Sequence, residues 1–210
     1  MLIKNSIKNL TFFRSLNEDE IDKLSNISSL KSYNKEFILS YEQTQTDKLL
    51  FLTKGLAKAY KIDKNDNEIF LYYIQANNML SEISTLEANT LITYSNIIFS
   101  EDSTILQIDY NLFRKYFLDK NILIREFSNE IINRSKKLET LINREFIFDA
   151  VTKVTMMIES DLDMFNKLKR HDIALMLHIQ PATLSRVLNK LKKDDIIEII
   201  HGKVLRKNNE

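Results

Sequence analysis

Apolar positions along the chain follow three periods in turn. Between residues 12 and 30, Leu16, Ile21, Leu24 and Ile27 recur at helical spacing, and Asn17 stands three before Glu20 in the pattern of a capping box. A short N-terminal helix is predicted there. From about Lys31 to Asp109 the runs become short and strand-like: LLFLT at 49–53, LAKAYKI at 56–62, EIFLYYI at 68–74 and TILQI at 104–108. Polar turns such as KNDN at 64–67 separate them, which predicts an antiparallel sandwich or barrel of hairpins. From Tyr110 the helical period returns and holds to about Phe148, far beyond the mean helix of about 12 residues.

Ile124, Phe127, Ile131, Leu138 and Leu141, with Ile142 beside the last, step by threes, fours or their multiples, the spacing of a coiled-coil seam. Arg134 interrupts the stripe and Glu145 ends it. The same stripe would suit an amphipathic helix packed on its own domain. Its place between a β region and a second helical region favours dimerisation. Asp149, just before the apolar run AVTKVTMMI, is the expected cap of the next helix, so the joint reads as helix to helix.

Residues 169–195 carry the strongest pattern, that of a helix-turn-helix. Ile173, Leu177, Ile179, Leu184 and Val187 supply the contacts two crossed helices need, and Ala174 is small enough to let them approach. Pro181, the one proline in the chain, falls at the first position of the second helix, where a missing N–H costs nothing. Four after Ala174, where such a turn commonly has glycine, stands His178, which must then accept a left-handed backbone. IIEII at 196–200, His201-Gly202-Lys203 and VLRK follow as a compact hairpin, the expected wing.

Net charge is +1, which argues against indiscriminate coating of nucleic acid and leaves room for a local patch. Residues 151–210 hold eleven Lys or Arg against eight Asp or Glu, with Arg186, Lys190, Lys192 and Lys193 crowded on the second helix. The absence of cysteine excludes disulfides, Cys-ligated zinc and Cys-ligated iron–sulfur clusters. No run approaches a membrane span, and no P-loop, G-x-S-x-G or H-E-x-x-H pattern occurs, so neither membrane partners nor an enzyme are expected.

Taken together, these segments resemble the Crp/Fnr superfamily over nearly the whole chain. Phe12-Phe13 to Leu24 is similar to its opening helix, 54–60 to its Gly-containing turn and strand, and Glu68 to a glutamate that follows a turn. Ser81-Glu82 stands for the Gly-Glu pair of the sensor pocket, and Thr183-Leu184-Ser185-Arg186 resembles the recognition-helix core. The resemblance implies an α+β fold: an N-terminal antiparallel β-roll, cupin-like and of the cyclic-nucleotide-binding-domain type (1–118), a long dimerisation helix (119–148) and a C-terminal winged helix-turn-helix (149–210). It also implies a cytoplasmic homodimer that binds double-stranded DNA and has RNA polymerase as a partner.

By this resemblance Arg186 reads guanine, whose O6 and N7 an arginine fork can bond together. Pro181, Ala182, Thr183, Ser185, Asn189, Lys190, Arg170 and Lys203 are the other expected DNA contacts. Ala182 replaces a glutamate common in the family, which trades a cytosine acceptor for a methyl that can meet thymine. Glu82, Ile92 and Thr93 are the candidate effector residues. Ile92-Thr93 aligns with the pair of cyclic-AMP binders whose arginine holds the phosphate, and isoleucine cannot neutralise one, so cyclic AMP is not the expected signal. Lys48, Lys54, Lys58, Lys61 and Lys64 are the remaining cations of the central region, each expected on a solvated strand or turn.

No cofactor is expected. Heme stays open through Met79, a tyrosine or the N-terminal amine, because His171, His178 and His201 all lie in the C-terminal part. The rival readings are a heme- or nitric-oxide-responsive member, a regulator without ligand, and a module that binds a small ligand or a protein instead of DNA.

Overall fold

The computed structural model describes residues 2–82 and 88–207. Two compact units divide the chain between residues 135 and 136. In the first, helix α1 (Leu2–Asn9) and a 3-10 turn (Thr11–Phe13) precede α2 (Glu18–Asn26). Asn17 caps α2 as its spacing predicts: its side chain accepts from the Glu20 N–H at 3.0 Å, and the Glu20 carboxylate accepts from the Asn17 N–H at 2.9 Å. The predicted helix ends earlier than its pattern suggests. Residues 28–30 are already strand, because pairing with a neighbouring strand satisfies their backbone and half-buries Leu30.

Two four-stranded antiparallel sheets and a two-stranded ribbon follow. The first sheet runs β1 (Ser28–Tyr33), β10 (Ser103–Asp109), β4 (Lys48–Lys54), β7 (Asn78–Met79). The second runs β2 (Ile38–Ser40), β9 (Asn96–Phe99), β5 (Leu56–Ile62), β6 (Glu68–Gln75), and β3 (Gln45–Thr46) pairs with β8 (Leu91–Ile92). Both faces of β4 are covered. Leu49 and Phe51 join a cluster with Ile7, Phe12 and Phe13, while Leu52 faces Ala57, Ile74, Phe99 and Ile105. A strand buried on both sides reads as an unbroken apolar run, hence LLFLT.

Gly55, in the turn between β4 and β5, has φ +96, and a Cβ there would lie 2.8 Å from the Asp102 carbonyl oxygen. Only glycine fits this turn without displacing the start of β10.

The long helix predicted from Tyr110 is broken. Asp109 caps α3 (Tyr110–Tyr116) by accepting from the Leu112 N–H at 3.0 Å, and a 3-10 turn (Leu118–Lys120) leads to a second start, α4 (Ile124–Phe146). Asn121 and Leu123 adopt φ 59 and φ 63, which no helix continues through. Leu123 tolerates the left-handed backbone because its side chain is buried in the helical cluster of the first unit.

The second unit takes in the rest of α4, then α5 (Ala150–Ser160), α6 (Leu162–Lys167), α7 (Arg170–Met176), α8 (Pro181–Lys193) and the hairpin β11 (Ile197–Ile200) and β12 (Lys203–Arg206). Asp149 caps α5 by accepting from the Thr152 N–H at 2.8 Å. The division at 135 and 136 falls inside α4, whereas the sequence pattern sets its boundaries at 118 and 148. Among the described residues, no helix is long and apolar enough to cross a membrane.

Candidate nucleic-acid interface and roll interior

In the second unit, α7 and α8 cross through Ile173 and Ala174 against Leu184, Val187 and Leu188, all buried. The turn between them holds His178 at φ 50, and the Ile179 N–H closes it onto the Ala174 carbonyl at 3.0 Å. The His178 ring does more than fill the turn: its Nδ1 lies 2.9 Å from Glu145 Oε2 in the last turn of α4. Burial alone would raise the Glu145 carboxyl, but the bond and charge of His178, together with Arg144, hold it below the usual range.

Helix α8 starts at Pro181 and turns its buried face, Leu184, Val187, Leu188 and Leu191, inward. The opposite face is exposed and carries Pro181, Ala182, Ser185, Arg186, Asn189 and Lys190, six of the residues the sequence marks for DNA. Thr183 is half-buried beside them and accepts a hydrogen bond from Arg186 Nη2 at 3.1 Å. Ser185 Oγ donates to the Pro181 carbonyl at 3.1 Å.

Arg170 and Lys203 part company. Lys203 is exposed at the start of β12, whereas the Arg170 guanidinium lies over the Phe165 ring and donates to the Gly202 carbonyl at 3.0 Å. Burial lowers its pKa, and its work is to brace the wing turn, where His201 and Gly202 have φ 48 and 80. Two other wing supports escaped the sequence reading. Asn166 accepts from the Val204 N–H at 2.8 Å and donates to the Val204 carbonyl at 2.9 Å, and Arg206 Nε donates to the Ile158 carbonyl at 3.1 Å. Neither residue belongs to a run or a spacing that would announce it.

The expected dimerisation seam is not one surface. Phe127 is 1% exposed and packs edge-on against Phe12, and Ile124 is half-buried against the same cluster; both belong to the core of the first unit and leave the seam. The helix begins one turn before Phe127, so its first apolar residues pack into the first unit's core, where the Phe127 ring meets Phe12 and Phe113. Ile131, Leu138 and Ile142 are exposed by 46%, 52% and 56%, and Leu141 is half-buried. Phe146, outside the predicted stripe, continues the exposed apolar residues to the end of α4.

Within the roll, Glu82 and Thr93 line a cavity of about 160 Å³, while Ile92 sits half-buried on β8 opposite Gln45. The rest of the wall is half apolar, Leu39, Leu50, Leu80, Leu91 and Ile97, and half polar, Thr44, Gln45, Thr46, Ser81 and Ser40, whose Oγ is buried and has no hydrogen-bond partner among the described residues. Thr93 is structural: its hydroxyl donates to the Tyr41 carbonyl at 2.6 Å and accepts from the Thr44 N–H at 3.1 Å.

Glu82, 4% exposed, meets a cation that the sequence reading passed over. Arg134 Nη2, from the interrupted position of the α4 stripe, reaches Glu82 Oε1 at 2.5 Å. The same nitrogen lies 3.0 Å from the Tyr72 hydroxyl, and Nη1 donates to the Ser81 carbonyl at 3.3 Å. Ser95 Oγ donates to Glu82 Oε1 at 3.3 Å, and the Tyr94 N–H donates to Oε2. Burial raises the Tyr72 hydroxyl pKa, opposed by the Arg134 charge.

Of the five lysines, Lys54 and Lys64 are exposed, and Lys58, Lys48 and Lys61 lie on strands in ion pairs of the roll surface: Lys58 with Glu68 at 2.8 Å, Lys48 with Asp109 at 3.4 Å, and Lys61 with Glu42. Met79, a heme candidate by sequence, packs against the first core, and the N-terminal amine lies outside the described residues.

A paired-sheet roll, a long helix and a winged helix-turn-helix with a basic exposed face define a DNA-binding transcription regulator. Family models agree. Residues 30–120 match the cyclic nucleotide-binding domain and residues 157–208 the Crp-like helix-turn-helix domain, together more than half of the chain. The chain belongs to the Crp/Fnr family of transcription regulators.

Solved structures share the fold at low identity. FixK2 from Bradyrhizobium japonicum superposes with a TM-score of 0.71 at 15% identity over 87% of this chain and 93% of its own. A CooA mutant from Carboxydothermus hydrogenoformans gives 0.70 at 22% identity over 95% and 92%. The c-di-GMP-responsive regulator CLP of Xanthomonas campestris gives 0.67 at 15% over 92% and 100%. A sequence search among curated proteins found no match.

Proposed function

We propose that the chain is a cytoplasmic homodimer that reads a near-palindromic operator with two α8 helices in successive major grooves, about 34 Å apart. The observation that carries this is the exposed face of α8, on which Ala182, Ser185, Arg186, Asn189 and Lys190 lie together opposite a buried apolar face. Arg186 reads a guanine, Ala182 offers a methyl to a thymine, and Asn189, one turn on, suits an adenine edge. Thr183, which accepts from Arg186, steadies the fork, while Lys190 and Lys203 meet phosphates and Arg170 holds the wing that presents Lys203. RNA polymerase is the expected protein partner at the promoter.

The second copy docks along Ile131, Leu138 and Ile142, whose spacing is that of a coiled-coil seam and whose side chains are open to solvent in the single chain. The signal is not cyclic AMP, since Ile92 offers no charge for a phosphate.

Selection from a randomised duplex pool at near-physiological salt tests the reading, with recovery of a two-fold symmetric motif as the expected result. Arg186→Ala should then weaken binding to the selected site roughly 5- to 150-fold, the loss of about 1–3 kcal/mol, and relax the preference at one base pair. No enrichment, or unchanged affinity in Arg186→Ala, would overturn the assignment.

A further inference from the structure

The turn of the helix-turn-helix is held from outside as well as from within. Its backbone closes through the Ile179 N–H and the Ala174 carbonyl, a bond that needs only a residue able to accept φ 50 at position 178. Glycine, common in such turns, does so at no steric cost. This chain instead places an imidazole there, and the ring has a partner on another helix. It is 21% exposed, and its Nδ1 lies 2.9 Å from Glu145 Oε2, while Arg144 Nε holds the other carboxylate oxygen at 3.2 Å. The elements packed most heavily on α8 are α5, α7 and β11. Glu145 therefore gives the last turn of α4 a direct polar hold on the turn from which α8 starts.

Glu145 also has a place in the apolar stripe of α4. It stands seven residues after Leu138 and three after Ile142, the next position on the same face, so the carboxylate that ends the stripe is the one that meets His178. We propose that His178 and Glu145 are positioning residues: their pair fixes α8 against the end of α4 and so sets the separation of the two recognition helices in the homodimer, the reading on which this inference rests. Neither side chain is asked to touch a base. The effect belongs to binding that engages both helices, because one helix reads a half-site whatever its angle to α4, whereas two must meet successive major grooves together.

Affinity of the full chain, measured at one salt concentration for the selected two-fold site and for a duplex with one half-site scrambled, tests this. His178→Gly keeps the left-handed turn and removes the ring, so its Tm should stay within about 2 °C of the wild type or rise, and it should sediment as a dimer. Its affinity for the two-fold site should fall about fivefold or more, with a change of less than about twofold on the half-site. Glu145→Ala should show the same split. The double variant His178→Gly/Glu145→Ala should bind no more weakly than either single one, since each removes the same contact.

His178→Gly decides by itself should the Glu145 variants not fold. The proposal is overturned if His178→Gly binds the two-fold site like the wild type, or if it loses as much on the half-site, which would confine the ring to the turn's own shape. Losses that add in the double variant would overturn it as well. A wild type that binds both duplexes equally removes the homodimer reading and this proposal with it, whereas a preference for the two-fold site that His178→Gly keeps in full removes the proposal alone.

Discussion

At the scale of single residues, the informative positions are those where an ordinary role is ruled out. Gly55 is one. Its φ of +96 and the 2.8 Å that a Cβ would leave to the Asp102 carbonyl make Gly55→Ala destabilising by about 1–3 kcal/mol, measurable in urea unfolding as a lower midpoint at unchanged slope. The sequence marks this glycine through its resemblance to a family turn, but not the clash, which comes from a strand start some 50 residues on. Arg134 shows the opposite case. In the one-dimensional pattern it is a flaw in an apolar stripe, and nothing in the spacing says that Glu82, 52 residues earlier, would be brought to it. Buried pairs made by the fold are silent in a sequence whose other charges are mostly solvated.

At the scale of elements, caps and turns were the most legible features, because each is written in neighbouring residues. The Asn17–Glu20 box, Asp149, Pro181 and the left-handed His178 all stand where local chemistry puts them. Asp109 allows a pH test. The Leu112 N–H, reinforced by Lys48, holds its carboxyl below the ordinary aspartate range against the opposing effect of burial. A carboxyl depressed in the folded state adds stability above its unfolded pKa and loses it as pH falls through the folded one. Unfolding free energy should thus drop between about pH 5 and pH 2, and Asp109→Asn should flatten that slope; an unchanged slope would assign it to other carboxylates such as Asp149 and Glu145. The break before α4 was not legible. Tyr110 to Phe148 keeps a helical period across it, and the left-handed Leu123 is a choice made by burial, not by local preference.

At the scale of the molecule, the order of roll, helix and winged helix-turn-helix was readable because three periods succeed one another along the chain. The apolar stripe of α4 was only half readable. A helix stripe does not say which neighbour it meets, and here its first turn meets its own core at Phe127 while Ile131, Leu138 and Ile142 stay open. Leu138→Glu with Ile142→Glu should therefore leave the fold intact by circular dichroism and shift sedimentation to the monomer. Affinity for the selected operator should fall at least tenfold, since half a site is then bound at a time. A dimer that survives both charges would place the interface elsewhere.

The backbone itself has one more consequence. Among the described residues, nine that are not glycine hold positive φ, Glu36, Gln43 and Asp195 with them, while the whole sequence has two glycines. Six are Asn, Asp or His, which accept this backbone most readily; Glu36, Gln43 and Leu123 resist it. Where such a side chain is exposed, as at Glu36 and Gln43, exchange for glycine would relieve strain without opening a cavity. The turns of this regulator thus hold latent robustness: room to absorb a damaging change elsewhere, or to run hotter, that needs no alteration of its core or of the exposed face of α8.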